Sequence, residues 1–347
     1  MMLVDNTGRL ADPAAAASAA GLRYVHAERE KGISRQRAGE GFAYRSAGGR
    51  PLKDKATLAR IAKLAIPPAW KDVWICPHPD GHLQATGFDA RGRKQYRYND
   101  DFRRLRESAK FEHILVFARA LPDIRARVAR DMSRPGLPRE KVLATVVHLL
   151  ETTMMRVGNK DYAKENHSYG LTTLKNPHVA VKGEALRFHF KGKSGKTWNL
   201  KVHDRRVARI VRACQELPGQ QLFEYRDADG AVHSITSTDV NAYLKEITGR
   251  DITAKDFRTW YGTVLAAVLL HRSGGDGTTG PLKEVIAQVS DRLGNTPAIC
   301  RKCYIHPEVI DAYAHGKLSL RIAKTHRRGT LNAEEAAVYR FLVGRLH

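Results

Sequence analysis

The spacing of the apolar residues changes near position 105, and this change restricts the chain to a two-part architecture. Between about residues 22 and 104, Gly and Pro recur at short intervals, and brief stretches such as 73–76 and 94–98 have the alternation of strands. This pattern predicts a small β-rich domain with one inserted helix at residues 55–64. Residues 1–21, which include an alanine-rich stretch, are interpreted as a flexible lead-in.

After position 105 the apolar residues recur at three- and four-residue intervals, which is typical of amphipathic helices. Three such helices are predicted, within residues 142–154, 257–268 and 282–293. One β-hairpin interrupts them, with strands at 186–190 and 198–202 and a Gly-Lys-Ser-Gly turn between the strands.

The predicted fold class is therefore α+β. A β-rich amino-terminal domain at 22–104 precedes a larger, mostly helical domain at 105–347, and we expect a short hinge at 99–106. Helical spacing also follows Leu331, and the sequence leaves open whether this tail packs on the core or protrudes.

A basic charge excess predicts a polyanionic partner. The chain has 59 Lys and Arg residues against 36 Asp and Glu residues, which gives a formal net charge of +23. The hydrophobic fraction of 42% is too high for a disordered basic tail, and nucleic acid is the commonest polyanion. A membrane partner is not expected, because the longest apolar run, 264–270, is far shorter than the roughly 20 residues that span a bilayer.

The cysteines and histidines predict neither disulfides nor a metal site. Four scattered cysteines do not form a disulfide framework, which favours a reducing cytoplasm. Cys300 and Cys303 form one Cys-x-x-Cys pair without a second pair, and the 15 histidines show no metal-ligand spacing. Lys193 lies in a segment like the end of a phosphate-binding loop. That loop needs a glycine five positions earlier and a helix after it, and the sequence has neither.

Five polar residues of the helical half occupy predicted element ends, where side chains from different elements can converge on one cleft. Arg156 closes a helix, Lys193 lies at the tip of the hairpin, and Arg258 lies in the first turn of a helix capped by a Thr-x-x-Asp signal. Asn295 and Tyr304 flank the start and the middle of the next helix.

As a set, these residues suit phosphoryl transfer at a phosphodiester. Two guanidiniums can hold the non-bridging oxygens while charge develops on the phosphorus. An ammonium group can protonate a leaving oxygen, and a phenol can attack the phosphorus. Taken singly, each of these residues is more often an ordinary surface side chain.

The motifs around these residues resemble those of the type IB DNA topoisomerases, specifically the compact poxvirus-like enzymes found in bacteria. The resemblance covers about residues 66–313. It is carried by Arg156-Val157-Gly158-Asn159, Asp161-Tyr162, Lys164-Glu165-Asn166, Gly170-Leu171-Thr172-Thr173-Leu174-Lys175, Gly192-Lys193, Thr253-Ala254-Lys255-Asp256-Phe257-Arg258-Thr259, and Leu293-Gly294-Asn295 followed nine residues later by Tyr304. The segment from Gly92 to Tyr98 is similar to the DNA-contacting strand of the family.

The resemblance implies a role for each residue of the set. Tyr304 is the implied nucleophile, which forms a 3′-phosphotyrosyl link and expels a 5′-hydroxyl. Arg156 and Arg258 bind the scissile phosphate, and Lys193 is the general acid. Asn295 stands where many members have histidine, and a neutral amide can donate a hydrogen bond but cannot titrate.

Other residues correspond to DNA contacts of the family. Gln95, Tyr96, Tyr98 and Tyr162 match such contacts, and Tyr96 and Tyr98 share one face of a strand. Lys255 lies one turn before Arg258 and is a candidate phosphate contact; solvent exposure is the competing interpretation. Ser194 replaces an acidic residue that is often found after the lysine.

The sequence therefore indicates a type IB DNA topoisomerase that relaxes supercoiled duplex DNA without ATP, a cofactor or an obligatory metal. The expected form is a cytoplasmic, nucleoid-associated monomer that clamps duplex DNA. Tyrosine recombinases, which share the catalytic fold and the arginine, lysine and tyrosine roles, are one alternative. A non-catalytic basic DNA-binding protein is the other.

Overall fold

The computed structural model describes residues 12–274, 279–324 and 330–346. The chain forms two compact units, Met1–Glu112 and His113–His347. Each unit is described by itself below. The division lies within one helix, α3 (Asp100–Asp131), whereas the sequence placed the domain boundary a few residues earlier, between residues 104 and 105.

The first unit is built on a five-stranded antiparallel sheet. The strand order is β2-β1-β3-β4-β5, and β4 and β5 pair with Thr86 opposite Tyr96. The elements are α1 (Pro13–Ala19), β1 (Ile33–Ala38), β2 (Gly41–Arg45), α2 (Lys55–Lys63), β3 (Lys71–Ile75), β4 (Leu83–Phe88) and β5 (Lys94–Tyr98). The predicted β-rich character and the inserted helix are both present.

The described part of the predicted flexible lead-in is a helix, α1. Asp12 caps it by accepting a 3.3 Å hydrogen bond from the Ala14 amide, and Pro13 occupies its first turn, where a missing N–H costs nothing. Ala16 and Ala17 are buried against Phe102. This packing orders a short segment that has little helical stability of its own.

The hinge expected at 99–106 is instead the start of the 32-residue helix α3 (Asp100–Asp131). Asn99 accepts a 2.9 Å hydrogen bond from the Asp101 amide, and two acidic residues in the first turn suit the positive end of the helix dipole. Phe102 is buried within the first unit. These local signals make the expected hinge segment helical from Asp100 onward, and its action as a hinge stays a prediction.

The second unit contains nine more helices and two small antiparallel sheets among the described residues. The helices are α4 (Arg139–Thr153), α5 (Lys160–Asn166), α6 (Arg205–Gln215), α7 (Ser237–Thr248), α8 (Ala254–Arg272), α9 (Thr279–Leu293), α10 (Pro297–Cys303), α11 (Pro307–Ala314) and α12 (Ala333–Leu346). The strands are β6 (Val179–Lys182), β7 (Ala185–Lys191) and β8 (Thr197–His203) in one sheet, and β9 (Glu224–Arg226) and β10 (Val232–Ser234) in the other.

One continuous core holds the second unit together, and α4 and α8 contribute many of its buried side chains. The three predicted helices correspond to α4, α8 and α9, and the predicted hairpin corresponds to β7 and β8. Strand β6 and the β9–β10 pair were not predicted. The tail helix α12 packs on the core through Ala337, Val338 and Leu342. Within the described ranges, no helix has the length and apolar character needed to span a membrane.

Candidate active site

The largest group of predicted site residues lines a single cleft in the second unit, with a volume of about 520 Å³. The predicted residues in its lining are Arg156, Tyr162, Lys193, Lys255, Arg258 and Tyr304. They come from separate segments between residues 156 and 304, so folding alone brings them together. Asn295 is not part of the lining, but it binds one of the residues that is.

Arg156 lies in an extended segment after α4, and a neighbouring turn fixes this segment. Helix α4 ends at Met154, which has left-handed backbone geometry with φ of +58°. The Leu171 amide then donates a 2.9 Å hydrogen bond to the Arg156 carbonyl. A Cβ atom added to Gly170 would lie 2.6 Å from that carbonyl oxygen. The glycine is therefore required for the two backbones to approach so closely.

Arg258 lies on α8 and is nearly buried, with 3% of its surface exposed. Thr253 and Asp256 form a capping box that fixes the start of this helix. The guanidinium donates hydrogen bonds to the Met154 carbonyl and, at 2.5 Å, to the Leu293 carbonyl, while its Nε has no hydrogen-bond acceptor. Arg258 therefore connects the ends of two helices, α4 and α9, behind the cleft.

Arg156 and Asn295 are joined at the corner that follows α9. The Arg156 guanidinium donates to the side-chain oxygen of Asn295 and contacts the Gly294 carbonyl at 3.4 Å. The Asn295 amide nitrogen is buried and has no hydrogen-bond acceptor. Because its oxygen faces Arg156, this amide retains an unused donor beside a phosphate-binding candidate.

Tyr304 is the residue at which the short helix α10 ends, not one in the middle of a helix as the sequence analysis expected. Helix α8 holds its backbone. The Thr263 hydroxyl donates a 3.3 Å hydrogen bond to the Tyr304 carbonyl and accepts one of 3.1 Å from the His306 amide. A Cβ atom on Gly262 would lie 2.6 Å from the same carbonyl oxygen. The nucleophile candidate is thus attached directly to the helix that carries Arg258.

The electrostatics of the cleft favour an anionic ligand. Burial lowers the pKa of Arg156, and burial followed by repulsion from Arg156 lowers the pKa of Arg258 to about 10. Among the described residues, neither arginine forms an ion pair with a carboxylate, and their acceptors are carbonyl and amide oxygens. The Arg258 guanidinium carbon lies 5.1 Å from the centroid of the Tyr304 ring, which is cation–π distance. An oxyanion would supply the missing negative charge.

Lys193 lies in the tight turn between β7 and β8 and is exposed. Ser194 and Gly195 both have positive φ, of +62° and +75°, which closes the turn in three residues. A strand, β8, follows this turn. The geometry is therefore that of a hairpin, as the sequence analysis predicted when it rejected a phosphate-binding loop.

Two further predicted residues lie on other sides of the cleft. Tyr162 lies on α5, which begins where the Asn159 side chain accepts a 2.8 Å hydrogen bond from the Tyr162 amide. Lys255 lies in the first turn of α8 and is exposed. Both side chains contribute to the lining and are accessible to a ligand.

Gln95, Tyr96 and Tyr98 belong to the first unit, on strand β5. The two tyrosine rings lie on one face of the strand, stacked with centroids 6.0 Å apart, and they are 46% and 38% exposed. The Gln95 side chain donates a 3.0 Å hydrogen bond to Asp89. Burial raises the pKa of Tyr98, so both a ring face and a protonated hydroxyl are available at neutral pH.

The sequence analysis missed residues that line or support the cleft. Ser168 and Tyr169 contribute to the lining, and a second basic cavity of about 450 Å³ shares Tyr169 with it. Tyr169 directly precedes Gly170 of the quoted motif, and this position is the sequence signal that could have identified Tyr169 as a lining residue. The second cavity is also lined by Lys160, Lys164, His167 and Lys175.

Metal-dependent chemistry and attack by a cysteine thiol have less support in this unit. Within the described ranges, no group of three or more His, Cys, Asp or Glu residues could hold a metal ion. Burial raises the pKa of Cys300 to about 11, so this thiol remains protonated at neutral pH and is a poor nucleophile. The cleft therefore offers cations, an amide donor and a phenol, which together suit attack on a phosphodiester.

Comparison with known proteins identifies two family models that match the chain. The model described as eukaryotic DNA topoisomerase I, catalytic core, matches residues 99–326. The model described as bacterial DNA topoisomerase IB, N-terminal domain, matches residues 41–89.

Viral proteins are among the relatives. The DNA topoisomerase 1B of Acanthamoeba polyphaga mimivirus is 29% identical over 325 residues, which are 87% of this chain and 97% of the relative. The DNA topoisomerase 1 of Rabbit fibroma virus is 27% identical over 240 residues, 66% of this chain and 72% of the relative. The DNA topoisomerase 1B of vaccinia virus (strain Copenhagen) is 24% identical over 233 residues, which are 65% of this chain and 71% of the relative.

Proposed function

The chain belongs to the type IB DNA topoisomerases, and we propose that the cleft of its second unit is where this DNA topoisomerase I cuts and rejoins a DNA strand. One observation carries the proposal. One buried guanidinium, that of Arg258, and one half-buried guanidinium, that of Arg156, have no carboxylate partner among the described residues and converge with Tyr304 and Lys193 in one cleft. A scissile phosphodiester supplies the negative charge that this arrangement lacks.

In the proposed cleavage step, the Tyr304 hydroxyl gives its proton to water as its oxygen attacks the scissile phosphorus, and the bond from phosphorus to the 5′ oxygen breaks. A 3′-phosphotyrosyl link forms, and Lys193 gives its proton to the departing 5′ oxygen. Arg156 and Arg258 stabilise the negative charge on the non-bridging oxygens in the transition state. The reverse reaction, attack by the 5′-hydroxyl, restores the strand.

Asn295 has two functions in this scheme. Its oxygen orients the Arg156 guanidinium, and its unused amide N–H donates to a non-bridging oxygen. In the first unit, the exposed Tyr96 and Tyr98 rings and the Gln95 amide contact the duplex. In the second unit, Tyr162 and Lys255 do so beside the cleft.

The reaction exchanges one phosphodiester for another, so the proposed enzyme needs neither ATP nor a metal ion. We propose a monomer that clamps duplex DNA of the nucleoid in the cytoplasm, which the net charge of +23 supports. We also propose that its catalytic unit has the fold of the tyrosine recombinases, because the arginine, lysine and tyrosine roles are the same. Supercoil relaxation, not strand exchange between duplexes, is the expected activity.

Relaxation of supercoiled plasmid in EDTA without ATP tests the proposal. The wild type is expected to relax the plasmid and to yield a covalent protein–DNA adduct when the reaction is stopped with detergent. Tyr304→Phe is expected to bind the plasmid and to give neither relaxation nor adduct.

Tyr339→Phe is the matched control, since this tyrosine lies on α12 and is not part of the cleft lining. It should relax plasmid at the wild-type rate. Relaxation by Tyr304→Phe, or the absence of any adduct with the wild type, would show that the nucleophile has been wrongly assigned.

A further inference from the structure

The indole of Trp198 lies directly behind the turn that carries Lys193. Trp198 is half-buried on β8, five residues after Lys193. A Cβ atom added to Gly192 would lie 2.7 Å from the indole nitrogen, Nε1. Because real Cβ atoms do not approach other atoms so closely, the Gly192 backbone must lie against one edge of the indole.

The same nitrogen-bearing edge of the indole also lies against the corner after α9. A Cβ atom added to Gly294 would lie 2.8 Å from the indole Cζ2. Gly294 has φ of +58°, and its carbonyl is the one that Arg156 contacts. The indole therefore contacts both the Lys193 turn and the corner that holds Arg156 and Asn295.

A second ring supports the indole from the hairpin. Phe190 is buried on β7 and lies parallel to Trp198, with ring centroids 6.2 Å apart and planes 4° apart. The two residues pair directly across the strands. This packing limits the rotation of Trp198, so the edge of the indole that carries Nε1 has a fixed position against Gly294.

The other described tie between the turn and α9 is weaker. The Lys196 ammonium lies 3.4 Å from Asp291, but these side chains are 43% and 81% exposed. Exposed ion pairs contribute little to the position of a loop. The packed indole is therefore the contact that sets the distance between Lys193 and the phosphate-binding corner.

We propose that Trp198 is a positioning residue for the general acid: packed against both Gly192 and Gly294, its indole holds the Lys193 turn at the distance from which Lys193 can protonate the 5′ oxygen. This inference rests on the role proposed above for Lys193. A general acid requires hydrogen-bond reach to the leaving oxygen, and displacement by about 1 Å can cost about 100-fold in rate.

The test compares two leaving groups in single-turnover cleavage of a short duplex. One substrate has the natural 5′ oxygen at the scissile bond, and the other has a bridging 5′ sulfur. A thiol has a pKa of about 8.5, far below that of an alcohol, so the thiolate leaves without a proton. With sulfur, the tyrosine oxygen still attacks phosphorus and the phosphorus–sulfur bond breaks, but no general acid is needed.

We expect Trp198→Ala to cleave the oxygen substrate about 100-fold more slowly than the wild type and the sulfur substrate within about threefold of it. Trp198→Phe, which retains a smaller ring, should show the same selectivity with a smaller defect. Asn199→Ala is the matched control: Asn199 is the next residue of β8, exposed on the opposite face, and its variant should match the wild type on both substrates.

Trp198→Ala/Lys193→Ala should be no slower on the oxygen substrate than Lys193→Ala alone, because the indole acts through that lysine. Three results overturn the inference: no defect on oxygen, an equal defect on both substrates, or additive losses in the double variant. If Trp198→Ala does not fold, the same comparison with Trp198→Phe decides. A defect of Lys193→Ala that sulfur does not rescue would instead contradict the proposed role of Lys193.

Discussion

At the scale of single residues, the distinctive feature is a pair of cations held away from solvent without a local anion. Arg258 donates to two backbone carbonyls, and Arg156 donates to a carbonyl and an amide oxygen. These neutral acceptors satisfy some of the N–H groups, although not the Arg258 Nε, and they do not neutralise the charges. The free protein therefore stores an unfavourable electrostatic energy that an oxyanion would release.

The lowered pKa of Arg258 determines whether folding stability rises or falls with pH. Its value in the folded protein is lowered to about 10, whereas unfolded arginine keeps its proton to higher pH. Above about pH 10 the unfolded chain binds more protons, so this group makes folding stability rise with pH there. At neutral pH its unfavourable contribution is present in full.

Inorganic phosphate should therefore raise the melting temperature of the DNA-free protein at constant ionic strength. The stabilisation expected at a phosphate concentration 100 times the dissociation constant is about 2.7 kcal/mol. Arg258→Met should lose most of this shift, as measured by calorimetry. Arg139→Met is the control, because Arg139 already pairs with Asp239 at 2.7 Å. An equal phosphate shift in all three proteins would rule out an anion site at Arg258.

Asn295 should make the site less sensitive to pH than a histidine would. Asn295→Ala removes an unused donor and the orientation of Arg156, so cleavage should slow by about 100-fold. The ratio of the Asn295→His cleavage rate to the wild-type rate should rise as pH falls below about 6.5, because imidazole gains a positive charge there. Single-turnover cleavage across pH 5–9 measures both effects. A pH-independent ratio for Asn295→His would contradict the placement of this side chain beside the phosphate.

Residues with chemical function were easier to predict from sequence than residues that support them. Arg156, Lys193 and Arg258 were singled out by residue type and by their places near element ends, and the structure brings them into one cleft with Tyr304. Thr263 and Trp198 were not, because hydrogen bonds and packing between distant segments determine their roles. No local pattern indicates that a hydroxyl on one helix faces the carbonyl of a residue 41 positions later.

At the scale of elements, α8 is the common support of the site. It carries Lys255 and Arg258 near its start, and one turn later it contacts the Tyr304 backbone through Gly262 and Thr263. A rigid helix between the phosphate-binding arginine and the nucleophile candidate keeps their separation constant. This rigidity lowers the cost of reaching the geometry for attack.

Thr263→Val should therefore weaken both the fold and the reaction. The change keeps the shape but leaves the Tyr304 carbonyl and the His306 amide without their hydroxyl partner, which costs about 1–3 kcal/mol. Denaturant unfolding measures this loss, and single-turnover cleavage should fall by about tenfold as the Tyr304 backbone shifts.

Thr259→Val, one turn earlier on α8, is the matched control. Thr259 is also buried, but its hydroxyl bonds the Lys255 carbonyl at 3.3 Å, within the same helix. That carbonyl is four residues earlier, so this variant should lose less stability and keep its cleavage rate. Equal behaviour of the two variants would mean that the Thr263 hydroxyl does not position Tyr304.

The elements that could be predicted were those with strong periodicity. Helices α4, α8 and α9 each have a buried apolar stripe, and β7 alternates buried and exposed residues. Helix α3 was missed as a continuous element because its beginning is rich in charged residues and Pro122 lies in its interior. Its Asn99 cap was visible in the sequence, but the change in apolar spacing near position 105 favoured an expectation of a hinge.

At the scale of the whole molecule, the charge of +23 exceeds what one scissile phosphate requires. The arginines of the cleft account for a small part of it. The second basic cavity, which contains Lys160, Lys164 and Lys175, is one place where the remaining charge is concentrated. Loss of a cleft arginine and loss of a lysine of the second cavity should affect DNA binding and cleavage differently, because only the cleft arginines act in the transition state.

Lys164→Gln should flatten the salt dependence of DNA binding, because each phosphate contact releases condensed counterions. The slope of log K against log salt should change by about 0.9 for one lost contact. Cleavage at saturating DNA should stay at the wild-type rate.

Arg258→Ala should do the reverse, with a nearly unchanged slope and cleavage at least about 100-fold slower. Titrations at several salt concentrations, combined with single-turnover cleavage, separate the two classes. If Lys164→Gln slowed cleavage at saturation without changing the slope, this lysine would belong to the catalytic group, and the division of the charge into two functions would be wrong.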